Sequence, residues 1–240
     1  MNLREMACTK HPLQRLASPA RSISATVHLL GIASFAASFR WLFKYPSPQQ
    51  EEFGGSFQFL TIIGLALAFT SMIFGFFADL TLNKTLFRAK NIVSVCSTPL
   101  EVLISILYWG ISLIDKRLLF PEELQLPLLP DLGFHAMPAF MLVLDLLFFS
   151  PPWTIKFQGA VMLSTAIAFA YWAWIEYCFS YNQTYPYPIF TVLSTPQRIM
   201  LFVGSGVTCA LSTMGLKWLY GKVNGIDKMQ REATNPVKLD

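Results

Sequence analysis

Six apolar stretches, each close to the length of a membrane crossing, leave this chain little choice of fold. The hydrocarbon core of a bilayer is about 30 Å thick, and a helix needs about 20 apolar residues to span it. Stretches of that kind run over 24–43, 57–80, 91–114, 134–149, 157–179 and 197–220. The fourth is short and is expected to borrow flanking residues. Inside lipid a backbone can satisfy its own polar groups only as a helix or a closed barrel. Runs this long predict helices, hence an all-α polytopic membrane protein with six transmembrane helices. The whole of 24–220 then forms one transmembrane domain, between an N-terminal tail over 1–23 and a C-terminal tail over 221–240.

Only 13% of the 240 residues are charged, against about 25% in a soluble domain. The placement of charge sets the expected orientation. Arg4, Lys10, Arg15, Arg21, Lys84, Arg88, Lys90, Lys156, Lys217, Lys222, Lys228, Arg231 and Lys238 fall on one side. The other side holds Arg40, Lys44, Lys116, Arg117 and Arg198. Thirteen against five places both termini in the cytoplasm. The basic residues form no nucleic-acid stripe. No cleavable signal peptide is expected, because more than twenty polar or mixed residues precede the first apolar run. The tail is also rich in Arg and Ser and poor in acid, as mitochondrial transit peptides are, although cytoplasmic charge bias explains the same residues. Residence in the endoplasmic reticulum is the default expectation, with the plasma membrane or mitochondrion as alternatives.

Four cysteines, Cys8, Cys96, Cys178 and Cys209, are too scattered for a disulfide framework or a CxxC metal site. The N-x-T sequons are at Asn83, on the expected cytoplasmic side, and at Asn182, outside but very close to the membrane. Aromatic residues crowd the outer end of the fifth span: Tyr177, Phe179, Tyr181, Tyr185 and Tyr187. An interfacial belt is the simplest reading of them.

Ionisable groups at membrane depth are functional suspects. Asp79, Glu101, Asp145 and Glu176 qualify, although Asp79 stands near enough to a span end to reach the interface. Among three histidines, His135 alone falls at the outer end of a span. Histidine is the usual general base near neutral pH, and the bland alternative is an interfacial residue capping a helix start. At the same expected depth, Thr61 is a candidate nucleophile, with Ser56, Ser112, Ser194 and Thr195 as competitors. Against Thr61 stands the habit of membrane-helix threonines to bond the carbonyl one turn back. Asp131 precedes His135 by four residues, so on a common helix the carboxylate would face the imidazole. Asp145, ten residues later, lies about 15 Å further along the axis.

The segments FGGSFQFLT at 53–61 and GFHAMPAF at 133–140, the acid at Asp145 and the pair Tyr187–Pro188 together resemble the androgen-induced gene family. That family includes the androgen-dependent regulator of tissue factor pathway inhibitor. The likeness covers about 24–220 with six spans in the same order. It implies a multi-span hydrolase that cleaves fatty acid esters of hydroxy fatty acids with a threonine nucleophile and a histidine base. The family threonine follows GGSxxFLT and falls on Thr61; the histidine follows G-x-H and falls on His135. The longer N-terminal tail, the FFSPPW loop after Asp145 and a fifth span sharing little more than Tyr171, Trp174 and the YP pair are departures. They fit a distant member, a fungal one included, and bear on the substrate more than on the catalytic pair.

The resemblance thus implies a lipid ester as substrate, an acyl-threonine intermediate and no metal or organic cofactor. Backbone groups near Gly54 and Gly55 are the candidate oxyanion donors. Two other classes stay open: a small-molecule or proton-coupled transporter, motivated by Glu101, Asp145 and Glu176, and a non-catalytic membrane scaffold.

Overall fold

A computed structural model describes residues 21–120 and 125–225. The ends of both expected tails, with His11 and Cys8, and residues 121–124 of the loop between the third and fourth apolar stretches lie outside the described residues. Within them the chain is helical and without strands. The long helices are α1 (Arg21–Lys44), α2 (Leu60–Thr81) and α3 (Lys84–Asp115). Then come a broken pair, α4 (Leu128–His135) and α5 (Met137–Phe149), followed by α6 (Phe157–Asn182), the short α7 (Ile189–Val192) and α8 (Thr195–Asn224). Five helices are long and apolar enough to cross a membrane, and the α4–α5 pair, bent by 43°, makes a sixth span.

The helix ends follow from local chemistry. Asn83 caps α3, its side-chain oxygen accepting from the Thr85 and Leu86 amides. Asn83 therefore serves as a helix cap between α2 and α3. Ser194 and Gln197 form a reciprocal capping box at the start of α8. The break between α4 and α5 has a readable cause: Pro138 stands in the first turn of α5 and cannot donate to the turn before it. The His135 carbonyl at the break is taken by the Ser105 hydroxyl at 2.5 Å. The fourth span does borrow residues, from its N-terminal side.

The helices are inside-out relative to a soluble bundle. Leu30, Ile92, Met162, Phe169, Met200 and Leu113 are exposed, whereas Ser71, Lys90, Ser94, Ser97, Thr98 and Asp145 are fully buried. That distribution suits lipid as solvent, where burial of polar groups against one another holds the bundle. α1, α2, α3 and α5 surround one polar centre, while α6 and α8 pack together against the other side of α3.

In that centre both ring nitrogens of His28 lie 2.8 Å from carboxylates, Nδ1 from Asp79 and Nε2 from Asp145. Lys90 Nζ reaches Asp145 at 2.7 Å and donates to Ser150 at 2.8 Å. Ser24 donates to Asp79 at 2.7 Å, and the Arg21 guanidinium donates to the Asp79 and Leu80 carbonyls. Two sequence expectations are corrected here. Asp79 does not reach the interface; it is 1% exposed and bridged to α1. Lys90 is no loop charge, because α3 begins at Lys84 and carries it inward to the carboxylate of α5. Gly75 leaves the room: a Cβ there would stand 2.5 Å from His28 Nε2.

Candidate active site

The loop before α2 is built to deliver Thr61. Gly54 has φ +90°, and a Cβ on it would meet Cys178 Sγ and Gln58 Cγ at 2.8 Å. Only glycine takes both the backbone conformation and the close approach. The loop is then tied to the end of α6. The Asn182 side chain accepts from the Phe53 N–H at 2.9 Å and donates to the Phe53 carbonyl at 3.0 Å and to Gln58 Oε1 at 3.0 Å. Tyr171 donates to the Gln58 carbonyl and Trp174 to the Phe57 carbonyl. The second sequon is thus occupied with structural hydrogen bonds.

This loop ends in a 3-10 turn, Gly55–Gln58, and α2 starts only at Leu60. The change of helix type decides what Thr61 does. Thr70, Thr81, Thr208 and Thr213 all donate to the carbonyl four residues earlier. Thr61 makes no such bond, since no α-turn precedes it. Its hydroxyl is left beside the Tyr187 phenol, which also sits against the Leu60 and Thr61 amides. A helix start leaves such amides without a partner in their own helix, and here the Tyr187 oxygen takes them. Burial pushes the Tyr187 phenol above its ordinary value and keeps it a donor. By contrast, the Gly55 N–H is already committed to the Glu52 carbonyl.

His135 does not start a helix. It closes α4, 2% exposed, and its ring lies back along that helix. Nδ1 donates to the Asp131 carboxylate at 2.9 Å, with the Asp131 carbonyl at 3.1 Å. Lys116 holds the other carboxylate oxygen at 3.3 Å. The Tyr108 ring is stacked on the imidazole, centroids 3.4 Å apart and planes within 3°. Asp131 thus fixes the tautomer, Tyr108 fixes the plane, and Nε2 carries no hydrogen bond.

Thr61 and His135 line one cavity of about 500 Å³, walled by Trp41, Tyr45, Gln50, Phe59, Phe120 and Phe134. No hydrogen bond joins the two across it. Thr61 also lines a second, apolar chamber between α3, α6 and α8, formed by Leu103, Ile104, Phe190, Phe202 and Gly206. It is the residue common to both. Of the competing hydroxyls, Ser56, Ser112 and Ser194 line neither. Ser194 is spent on its capping box, and Thr195 opens α8.

Sequence reasoning missed Tyr108 and Lys116 as parts of the site and read Tyr187 chiefly as belt. Tyr177 and Tyr181 are exposed as a belt requires, but Tyr187 turns inward in a T-shaped contact with Phe59. Glu176 is bound locally: Trp172 donates to it at 3.0 Å and Tyr185 at 3.1 Å, and Arg198 in turn donates to Tyr185.

The chain as a whole matches known proteins. Residues 23–221 match the family described as FAR-17a/AIG1-like protein. A UPF0641 membrane protein of Schizosaccharomyces pombe is 33% identical over 193 residues, which cover 79% of this chain and 86% of the yeast protein. No solved structure matches.

Proposed function

As this chain belongs to the FAR-17a/AIG1-like family of membrane proteins, we propose that it hydrolyses lipid esters within the bilayer, with Thr61 as nucleophile and His135 as base. One observation carries the reading. Thr61 stands between a cavity shared with an oriented histidine and a smaller apolar chamber of about 100 Å³.

In the proposed reaction the Thr61 Oγ attacks the ester carbonyl carbon while its proton passes to His135 Nε2. That proton then goes to the departing alkoxide as the carbon–oxygen bond breaks, leaving an acyl-threonine. Water attacks the new ester, His135 takes its proton, and the proton returns to Thr61 as the acid leaves. Asp131 holds the imidazole and offsets the charge it gains, as a triad acid does. The Tyr187 hydroxyl and the Leu60 and Thr61 amides it now faces join the Gly54 amide as candidate oxyanion donors, while the Gly55 amide is committed within its turn. Catalytic hydrogen bonds commonly tighten only around substrate, which accommodates the open gap between Thr61 and His135. The charge distribution supports cytoplasmic termini and a catalytic mouth on the opposite face, in keeping with the endoplasmic reticulum.

A fluorophosphonate probe tests the assignment. The purified protein is expected to label and to cleave a fatty acid ester of a hydroxy fatty acid, with both activities lost in Thr61→Ala. Labelling that persists in Thr61→Ala removes the threonine from the mechanism. A folded wild type that neither labels nor hydrolyses removes the enzyme.

A further inference from the structure

The hydrolase reading uses one end of the bundle and leaves its most costly feature unexplained. Glu101 is 1% exposed at the middle of α3, and neither carboxyl oxygen has a hydrogen-bond partner. It is pressed against Gly64 of α2, where a Cβ would lie 2.6 Å from Oε1. A buried carboxyl without partners is expensive, and a glycine kept opposite it preserves the space it occupies.

Glu101 is not isolated along the helix. Lys90, Ser94, Ser97, Glu101, Ser105 and Tyr108 follow one another at intervals of three or four residues on one face of α3, all buried except the half-buried Ser105. Side chains so spaced are about 5–6 Å apart, a gap one water molecule bridges. From Lys90 to Tyr108 the stripe rises about 27 Å, nearly the thickness of the hydrocarbon core. Each end meets a charged cluster. At one, Lys90 joins Asp145, His28 and Asp79. At the other, Tyr108 lies on His135, beside Asp131 and the partly exposed Lys116.

Ordinary helix-to-helix adhesion does not account for the middle of the stripe. Adhesive polar groups bond across the seam, as Lys90 and Ser105 do at either end, yet the hydroxyls of Ser71 and Ser97 are as unpartnered as Glu101. Nor do Ser71 and Ser97 bond back to their own helix, as Ser205 and Ser212 do on α8. Pro99 adds a further acceptor, since it leaves one carbonyl of the preceding turn without its amide.

We infer that the buried face of α3 is a water-bridged proton path across the bundle, with Glu101 as its central carrier. Glu101 accepts a proton from the water on one side and releases it to the water on the other. No covalent bond other than O–H is made or broken, and no co-reactant is required. The path does not depend on ester hydrolysis.

The test is proton flux into liposomes containing the purified protein and a trapped pH dye, driven by a potassium gradient with valinomycin. Wild type is expected to acidify the lumen faster than protein-free vesicles. Glu101→Gln, which keeps size and packing, is expected to fall to the protein-free rate, while Ser212→Ala conducts as wild type. The same vesicles by infrared spectroscopy should show a carboxylic acid band that shifts in heavy water and vanishes in Glu101→Gln. Wild-type flux equal to protein-free vesicles, flux undiminished in Glu101→Gln, or a Glu101 band that does not exchange each overturns the path.

Discussion

His135 Nδ1 lies 2.9 Å from the carboxylate of Asp131, one helical turn earlier on the same short helix. The pair occupies the last turn of α4, where the helix breaks and the next one leaves at 43°. The free nitrogen of the ring is therefore aimed by a local element and not by a full span.

That pairing makes Asp131→Asn the most telling substitution near the base. The amide can hold the ring only in the wrong tautomer, so kcat should fall by about 10²–10⁴-fold with little change in KM. Lys116→Met, which removes only the partly exposed partner of Asp131, should cost far less. Steady-state hydrolysis by the two purified variants gives the comparison. Equal losses would mean that Asp131 acts through general charge and not by orienting His135.

Tyr187→Phe removes the phenol beside the α2 amides. Loss of one oxyanion donor costs about 10²–10³-fold in kcat. The sign of its pH dependence follows from burial, which favours the neutral phenol and raises its pKa. The donor is thus kept as pH climbs through the ordinary phenol value of about 10. A wild-type kcat that drops below that pH, with no such drop in Tyr187→Phe, would contradict the assignment.

Gly206 lines the apolar chamber; a Cβ there would meet Ala168 Cβ and the Ser164 carbonyl at 3.9 Å, an ordinary van der Waals contact. A phenyl ring at this position should fill the chamber and leave the bundle folded. Gly206→Phe is expected to lower kcat/KM for long-chain esters about 10–200-fold relative to short-chain ones, the range that a pocket wall can impose. An unchanged chain-length profile would show that the acyl chain lies elsewhere.

At the other end of the bundle, Asp145→Asn strips the acid partner from Lys90 and one from His28 while adding no bulk. An uncompensated buried charge costs about 3–5 kcal/mol. The thermal midpoint in detergent should fall accordingly, and the joint change Asp145→Asn with Lys90→Met should recover part of the loss. A double variant no more stable than the single one would mean that the ion pair is not the source of the effect.

The sequence carried the span count because apolar length is a local property. It carried the Asp131–His135 relation because four residues on a helix make one turn. The glycines of FGGSFQFLT were visible, but their reason was not: Gly54 answers to Cys178, more than a hundred residues away. Lys90 looked like a loop charge because nothing near it in sequence offers an acid, and its partner Asp145 comes from another helix. Tyr108 was hidden for the same reason, since its stacking on His135 links α3 to α4. Pro138 did mark the break in the fourth span, although apolar length alone made that span look merely short.

The break at Ala136 divides one crossing into two pieces with separate obligations. The first piece carries the imidazole; the second carries Asp145 and with it the ion pairs to α1 and α3. Because the hinge lies between them, mutation can re-aim the histidine without loosening the frame. The fold can thus vary at one end while its assembly stays insulated at the other.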